Sequence, residues 1–341
     1  MPSVVSASVA VRPGGGRWLA ALARQRELSL LIVMVALGTF VFAQAPQFLS
    51  ASNLSQVSIL AAIIAIAAVG QATVVLTRNV DLSVDATMGL VAFSVADLLR
   101  THTLALPLAM VYGVGLGVVL GLVNGTIVSV FRVPAIVATL GSMSVYRGFT
   151  FLIAGGRQVS LSDLPPEYIN LARANALGVP LFVLLAVVIV AIAGLVLQQT
   201  RLGRQVYAVG SNPEAAAILG IRSRLVVFTA FAVCGLLAGL AGVLWGARFG
   251  TINATAANGV VLQVVAAVVV GGVNIFGGSG TVYGAGLGAL FLGLIANALT
   301  LLRLSQFWLQ AIYGAVILLA VAADAVIVRR LQRARVHGRS R

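Results

Sequence analysis

Lysine is absent from this 341-residue chain; all 22 basic residues are arginine. The phosphate-cradling pattern G-x-x-x-x-G-K-[ST] needs a lysine to reach the phosphates, so no ATPase site of that kind lies here. Cysteine is almost absent: Cys234 stands alone in an apolar run and cannot form an internal disulfide. The two histidines, His102 and His337, lie far apart, and neither has a Cys, His or carboxylate partner at metal-ligand spacing. No metal site and no cofactor is therefore expected, and enzyme chemistry has no cluster to build on. Charge itself is scarce, with only eight acidic residues and 9% charged residues in all. Soluble domains run near about a quarter charged, which excludes a water-soluble core protein.

Hydrocarbon fills the space. Hydrophobic residues make up 60% of the chain, in repeated apolar runs of about 20 residues, each long enough to cross a bilayer core of ~30 Å. Long unbroken runs, rather than alternating ten-residue segments, select helices over a closed barrel. The expected fold is all-α: a polytopic transmembrane bundle of about ten spans, some broken or re-entrant. They are placed near 28–46, 55–76, 81–99, 105–131, 134–155, 178–199, 225–247, 259–276, 281–302 and 308–328. The third, short and polar at its start, and the eighth, ending in a glycine-rich break, are the least regular.

Ten crossings put both termini on one side, with the loops near 78, 132 and 200–224. Those segments carry 16 of the 22 arginines, and the positive-inside rule makes that side cytoplasmic. Residues 1–27 then form a basic cytoplasmic segment, 28–328 the membrane domain, and 329–341 a basic cytoplasmic tail. No apolar stretch precedes Arg12, Arg17, Arg24 and Arg26, so a cleaved signal peptide is not expected. The net charge of +14 concentrates at the termini and the central loop, which suits anionic lipid headgroups rather than nucleic acid. The largest external segment, Gly156 to Gly178, is too short for a ligand-capturing domain.

The central loop reads "TRLGRQVYAVGSNPEAAAILGIRSR". Ser211 or Asn212 suits a helix cap, Pro213 the first helical position, and Glu214 the positive helix end. Two turns of "EAAAIL" follow, and Gly220 suits a left-handed stop. A capped surface turn among topology-setting arginines is one reading; a docking helix for a cytoplasmic partner is the other. "EAAAILG" resembles the loop by which permease subunits of ATP-binding-cassette importers engage their ATPases. "VDLSV", "VNGTIVSVFRVPAIVATLGSMSVYRGFTFLIAGG" and "GGVNIFGGSGTVYGAGLGALFLG" resemble the ribose-type sugar permease family, from about residue 30 to 328. "LTRNVDLSV" and "PAIVATLG" are most similar in wording to permeases for rhamnose and autoinducer-2.

The resemblance implies a non-catalytic transport subunit of the bacterial inner membrane. Its partners would be two ATP-binding subunits, a second permease, identical or homologous, and an extracytoplasmic sugar-binding protein. The cargo would be a small sugar or sugar-like solute. Asn212, Glu214, Ala215, Ala216 and Gly220 would form the ATPase-docking helix. A related permease for branched-chain amino acids, or a stand-alone ion-coupled carrier, are the alternatives; a stand-alone carrier has no need of the capped loop helix.

"LTRNVDLSVDA", residues 76–86, places Arg78, Asn79, Asp81 and Asp85 between two apolar runs. One reading is an interfacial turn in which Asp81 or Ser83 caps the third helix. The other is a helix broken inside the membrane and facing the transport path, since charge at depth usually meets a cavity or a partner. Gln71 and Thr73 extend a polar line into the membrane. In the family a glycine usually follows "DLSV", where Asp85 stands here. Gly113, Gly117, Gly121 and Gly125, and likewise Gly280, Gly284 and Gly288, form small-residue stripes that suit close helix packing. Asn124 is either an interhelical hydrogen-bond partner or a pore residue. Arg147 lies mid-span, either paired with a buried acid or snorkelling outward, or, with Tyr146 and Phe149 as an aromatic platform, in contact with sugar. Translocation-path candidates are thus Gln71, Asn79, Asp81, Ser83, Asn124, Tyr146 and Arg147. Asn258, Gln263, Asn274 and Asp324 are further polar positions at or near spans.

Overall fold

The computed structural model describes residues 26–101 and 104–319, together with Ala322. Residues 1–25, His102, Asp324 and the basic 329–341 tail lie outside the described residues, as does most of the tenth expected span beyond residue 319. Helix dominates. The one paired-strand element among the described residues is a hairpin of β1 (Asn175–Ala176) and β2 (Val179–Pro180).

Each of the ten expected apolar segments contains a helix. They are α1 (Arg26–Gln44), α2 (Ala51–Leu76), α3 (Val84–Arg100), α4 (Leu106–Ser129), α5 (Ala135–Ala154), α7 (Leu181–Gln199), α10 (Ser223–Phe249), α11 (Val260–Val270), α12 (Val282–Leu301) and α13 (Trp308–Leu319). Three short helices fall in loops: α6 (Pro166–Leu171), α8 (Arg201–Ser211) and α9 (Pro213–Ile218). Seven of the described helices are long and apolar enough to cross a membrane. At about 1.5 Å per residue, α3 and α11 fall short of a ~30 Å slab. These are the third and eighth spans, whose sequences are interrupted by a polar turn and a glycine-rich break.

The central pillar is α2, whose apolar window is 94% buried, against 17–61% for the other long spans. It is built from Ile, Val and Ala with little polarity, so neighbours cover it on every side. In lipid there is no hydrophobic force between helices, and close van der Waals packing takes its place. That packing is densest where α4 crosses α10. A Cβ on Gly121 would lie 2.5 Å from the Phe231 carbonyl oxygen, and one on Gly117 2.5 Å from Gly239 Cα. Both small-residue stripes are contact faces of this kind, since Gly284 and Gly288 meet the backbone of α11 at Gly271 and Ala267.

The glycine-rich break lies beside the 77–83 turn, with Gly278 donating to the Leu76 carbonyl, whereas the non-helical segments that lead into α3 and α11 approach from opposite sides of the bundle. Residues 77–83 precede α3 on the arginine-rich side, and residues 250–259 re-enter ahead of α11 from the other side. They meet in the interior: Val80 and Leu82 pack against Val261, Val265 and Val269, and the backbone N–H of Gly259 reaches Asp85 on α3.

Candidate translocation site and docking surface

The 77–83 turn runs from an exposed Arg78 inward: Asp81 is 3% exposed and Ser83 0%, and Asp85, in the first turn of α3, is 2% exposed. Desolvating carboxylates is costly unless their oxygens are occupied. The carboxylate of Asp81 accepts the Ser83 N–H (2.8 Å) and the Ser83 hydroxyl (2.7 Å). This corrects the expected helix cap, because Ser83 occupies the cap position of α3 without a side-chain cap bond and Asp81 folds back on Ser83 instead. Asn124 of α4 donates to Ser83 Oγ (2.8 Å), and Tyr146 of α5 donates to the Leu120 carbonyl (3.0 Å) and to Asn124 Oδ1 (3.3 Å). Asn124 is thus an interhelical partner. Gln71, wholly buried in α2, faces the Asp81 backbone; with its terminal amide turned over, the nitrogen donates to the carbonyl (3.1 Å) and the oxygen accepts the N–H (3.3 Å).

Five of the seven path candidates therefore form one network: Gln71, Asp81, Ser83, Asn124 and Tyr146. Asn79 stands outside it, bonding only to Thr77 through its side chain. Arg147 belongs to a second cluster. One guanidinium nitrogen donates to the Ala256 carbonyl (2.8 Å), and the other lies 3.7 Å from Asp85 Oδ2, which also accepts the Gly259 N–H (3.0 Å). Arg147 is paired with a buried acid. The aromatic platform is not formed, since Tyr146 turns inward at 3% exposure while Phe149 points outward at 48%. Asp85 was not among the path candidates, yet it fastens the re-entrant loop to α3.

The central loop holds two helices where one was expected. Thr200 caps α8 by accepting the Gly203 N–H (3.2 Å). Asn212, not Ser211, caps α9, its side chain accepting the N–H groups of Glu214 and Ala215 (both 3.0 Å), and Gly220 has φ +77°. Of the docking residues, Ala216 is 2% exposed and packs on Val209 and Val226, so it holds the helix down and offers no surface to a partner. The exposed apolar surface is Ile218 (86%) and Leu219 (77%), which the sequence reading left out. An Ile-Leu pair closing a short helix in an arginine-flanked loop was the available signal.

This loop is joined to the buried turn. Arg78, at φ +67°, donates through Nε and a terminal nitrogen to the carbonyls of Gly210 and Ser211, the last two residues of α8. A cation at carbonyls that have no intrahelical partner is favourable. Gly278 donates its N–H to the Leu76 carbonyl (3.0 Å), and Gly210 lies so close to that carbonyl that no side chain fits. The Tyr207 hydroxyl donates to the Gly280 carbonyl (2.9 Å), and burial pushes its phenol pKa up, keeping it a neutral donor. Force applied at α9 therefore has a short path, through Arg78, to the turn bearing Asp81 and Ser83.

Residues 53–321 match the family described as branched-chain amino acid transport system / permease component. The chain belongs to this family. It is a membrane-embedded permease subunit of an ATP-binding-cassette importer, a transport component and not an enzyme, working with ATPase and binding-protein partners. It is 36% identical over 312 residues to the autoinducer 2 import system permease protein LsrC of Enterobacter sp. (strain 638), covering 92% of this chain and 90% of that one. It is 37% identical over 308 residues to that of Salmonella typhi (90% and 88%) and 36% identical over 308 residues to that of Escherichia coli K12 / DH10B (90% and 89%). No solved structure matches.

Proposed function

We propose that this permease, in the bacterial inner membrane, carries a small sugar-like solute of the autoinducer 2, rhamnose or ribose type into the cytoplasm. Residues 28–328 are its membrane domain, with the 200–224 loop as ATPase-docking unit between basic cytoplasmic ends. Two ATPase subunits supply the energy, a second permease subunit completes the path, and an extracytoplasmic binding protein delivers cargo.

The observation that carries this reading is the connection between α9 and the buried turn. A docking helix with exposed Ile218 and Leu219 would be of little use without a route inward, and Arg78 supplies one. The broken segments at 77–83 and 250–259 are the parts able to rearrange, because non-helical backbone at membrane depth is tolerated where it lines a path or is buried in protein. The named relatives are autoinducer 2 import permeases, which favours that compound among the three.

Uptake by a deletion strain, with and without the gene restored, tests the proposal. Labelled autoinducer 2, rhamnose and ribose are offered with and without ATP depletion. ATP-dependent uptake of one of them is the expected result. Uptake that survives ATP depletion but collapses with the proton gradient would overturn it, and ATP-dependent uptake of leucine alone would replace the cargo class.

A further inference from the structure

An apolar cavity of about 390 Å³ lies between α7 and α10. Its walls run from Ile189 to Leu197 on α7 and from Val226 to Leu237 on α10, with Leu202 and Val206 of α8 at the arginine-rich end. At about 1.5 Å per residue these walls are ~12 and ~17 Å deep, close to one leaflet of a ~30 Å hydrocarbon core. Both hydroxyls in the walls give their hydrogens to backbone, Thr73 to the Gly70 carbonyl (2.7 Å) and Thr229 to the Val226 carbonyl (2.9 Å). The edge facing outward is hydrocarbon too, with Ile192, Val196 and Val233 exposed.

Polarity begins at the rim. Arg201 adjoins Leu202, and Arg222 lies one turn ahead of Val226; both are exposed. Among the described residues the ion pairs are Asp97–Arg100 and Asp85–Arg147, so neither Arg201 nor Arg222 has a carboxylate within 4.0 Å. Glu214 is the one acid in the whole 200–224 loop. The start of α10 has no side-chain cap, and Ser223 Oγ is buried there with no hydrogen-bond partner. Open N–H groups beside guanidinium groups suit a phosphate. The position of α8 over this rim is fixed, because a Cβ on Gly203 would run into the Leu197 carbonyl. Its Leu202, Val206 and Val209 share one face, with Arg201 and Arg204 on another, the pattern of a helix lying in a membrane interface.

We infer that this cavity seats one acyl chain of an anionic phospholipid, with the lipid phosphate at Arg201, Arg222 and the start of α10. The lipid comes from the leaflet on the arginine-rich side, the cytoplasmic one in the topology proposed above. Shape and charge select this occupant together. A soluble phosphate has no use for the hydrocarbon walls, and a neutral lipid has none for the cations. A helix of a second subunit runs the full width of the membrane, whereas the cavity is one leaflet deep. Basic pockets between membrane helices on the cytoplasmic side are characteristic seats of anionic headgroups. A lipid held here braces α8, whose last two carbonyls hold Arg78, and so sets how firmly the docking loop grips the buried turn.

Native mass spectrometry of the full-length protein, released from nanodiscs of phosphatidylcholine and phosphatidylglycerol in equal parts, reads which lipid stays bound. Wild type should retain one phosphatidylglycerol in preference to phosphatidylcholine. Arg201→Gln combined with Arg222→Gln should lower that preference by roughly thirtyfold, from about fivefold per cation. The single variants carry the test if the double variant fails to fold. Val233→Trp fills the cavity from its exposed edge and leaves the cations in place; it should lose the retained lipid. No preference in wild type, or the wild-type preference in the arginine variants, would overturn the inference. Unchanged retention in Val233→Trp would overturn it as well, since the tail would then lie elsewhere. In the assembled importer, efficient cross-linking of Leu236→Cys to the second permease subunit would give the groove to protein and overturn the lipid assignment.

Discussion

Arg78 is the narrowest link between the docking loop and the buried turn, and Arg78→Gly separates its two properties. The side chain makes two charge-assisted hydrogen bonds, to Gly210 and Ser211. Such bonds contribute about 1.5–3 kcal/mol each, and the partial exposure of this residue brings the pair down to about 2 kcal/mol. Its backbone lies at φ +67°, which costs a non-glycine residue about 1–2 kcal/mol and costs glycine nothing. The substitution should therefore nearly preserve fold stability while removing the link. About 2 kcal/mol of lost coupling corresponds to about a 30-fold change in the equilibrium that couples α9 to the turn. The assay is solute imported per ATP hydrolysed in proteoliposomes holding the complete importer. Arg78→Gly should assemble normally and hydrolyse ATP while the transport ratio falls by at least about tenfold, and Arg78→Lys should fall less because it keeps the charge but loses the fork. A wild-type ratio in Arg78→Gly would refute the link.

Tyr146→Phe removes the donor to Leu120 and Asn124 and should lower stability by about 1–2 kcal/mol, read as a lower midpoint in thermal unfolding of the detergent-purified protein. Gly117→Val drives a branched side chain into the α10 backbone, 2.5 Å from Gly239 Cα at its Cβ, and should cost about 1–3 kcal/mol or more, seen as a loss of monodisperse protein on size exclusion. Glu214→Ala, and Gly220→Val at φ +77°, should insert normally yet uncouple ATP hydrolysis from uptake; normal uptake in both would remove α9 from the docking role.

Much of this was legible from local chemistry. Unbroken apolar runs marked ten segments that each hold a helix, seven of them long enough to cross a membrane, and the polar start of the third and the glycines of the eighth marked where helices break. The α9 cap was readable because Asn-Pro-Glu fits a helix start and a glycine its end. What escaped the sequence was long-range partnership. Nothing local to Asp85 reveals the Gly259 N–H, 174 positions away, and nothing local to Arg78 reveals the end of α8, more than 130 positions on. Arg147 was readable as a buried cation, but its acid partner and the outward turn of Phe149 depend on how α3 and α5 pack. The amphipathic α8 was missed because its arginines had already been explained by topology.

Asn79 offers the most direct view of whether ATP moves the buried turn. It is half-buried beside Arg78, and Cys234, the only native thiol, is 1% exposed. In Asn79→Cys, labelling by a membrane-impermeant maleimide from the cytoplasmic side is timed with the importer nucleotide-free and with ATP trapped. The account predicts rates that differ several-fold between the two states, and no difference once Arg78→Gly is added. Equal rates in both states would mean that the docking helix does not drive the turn.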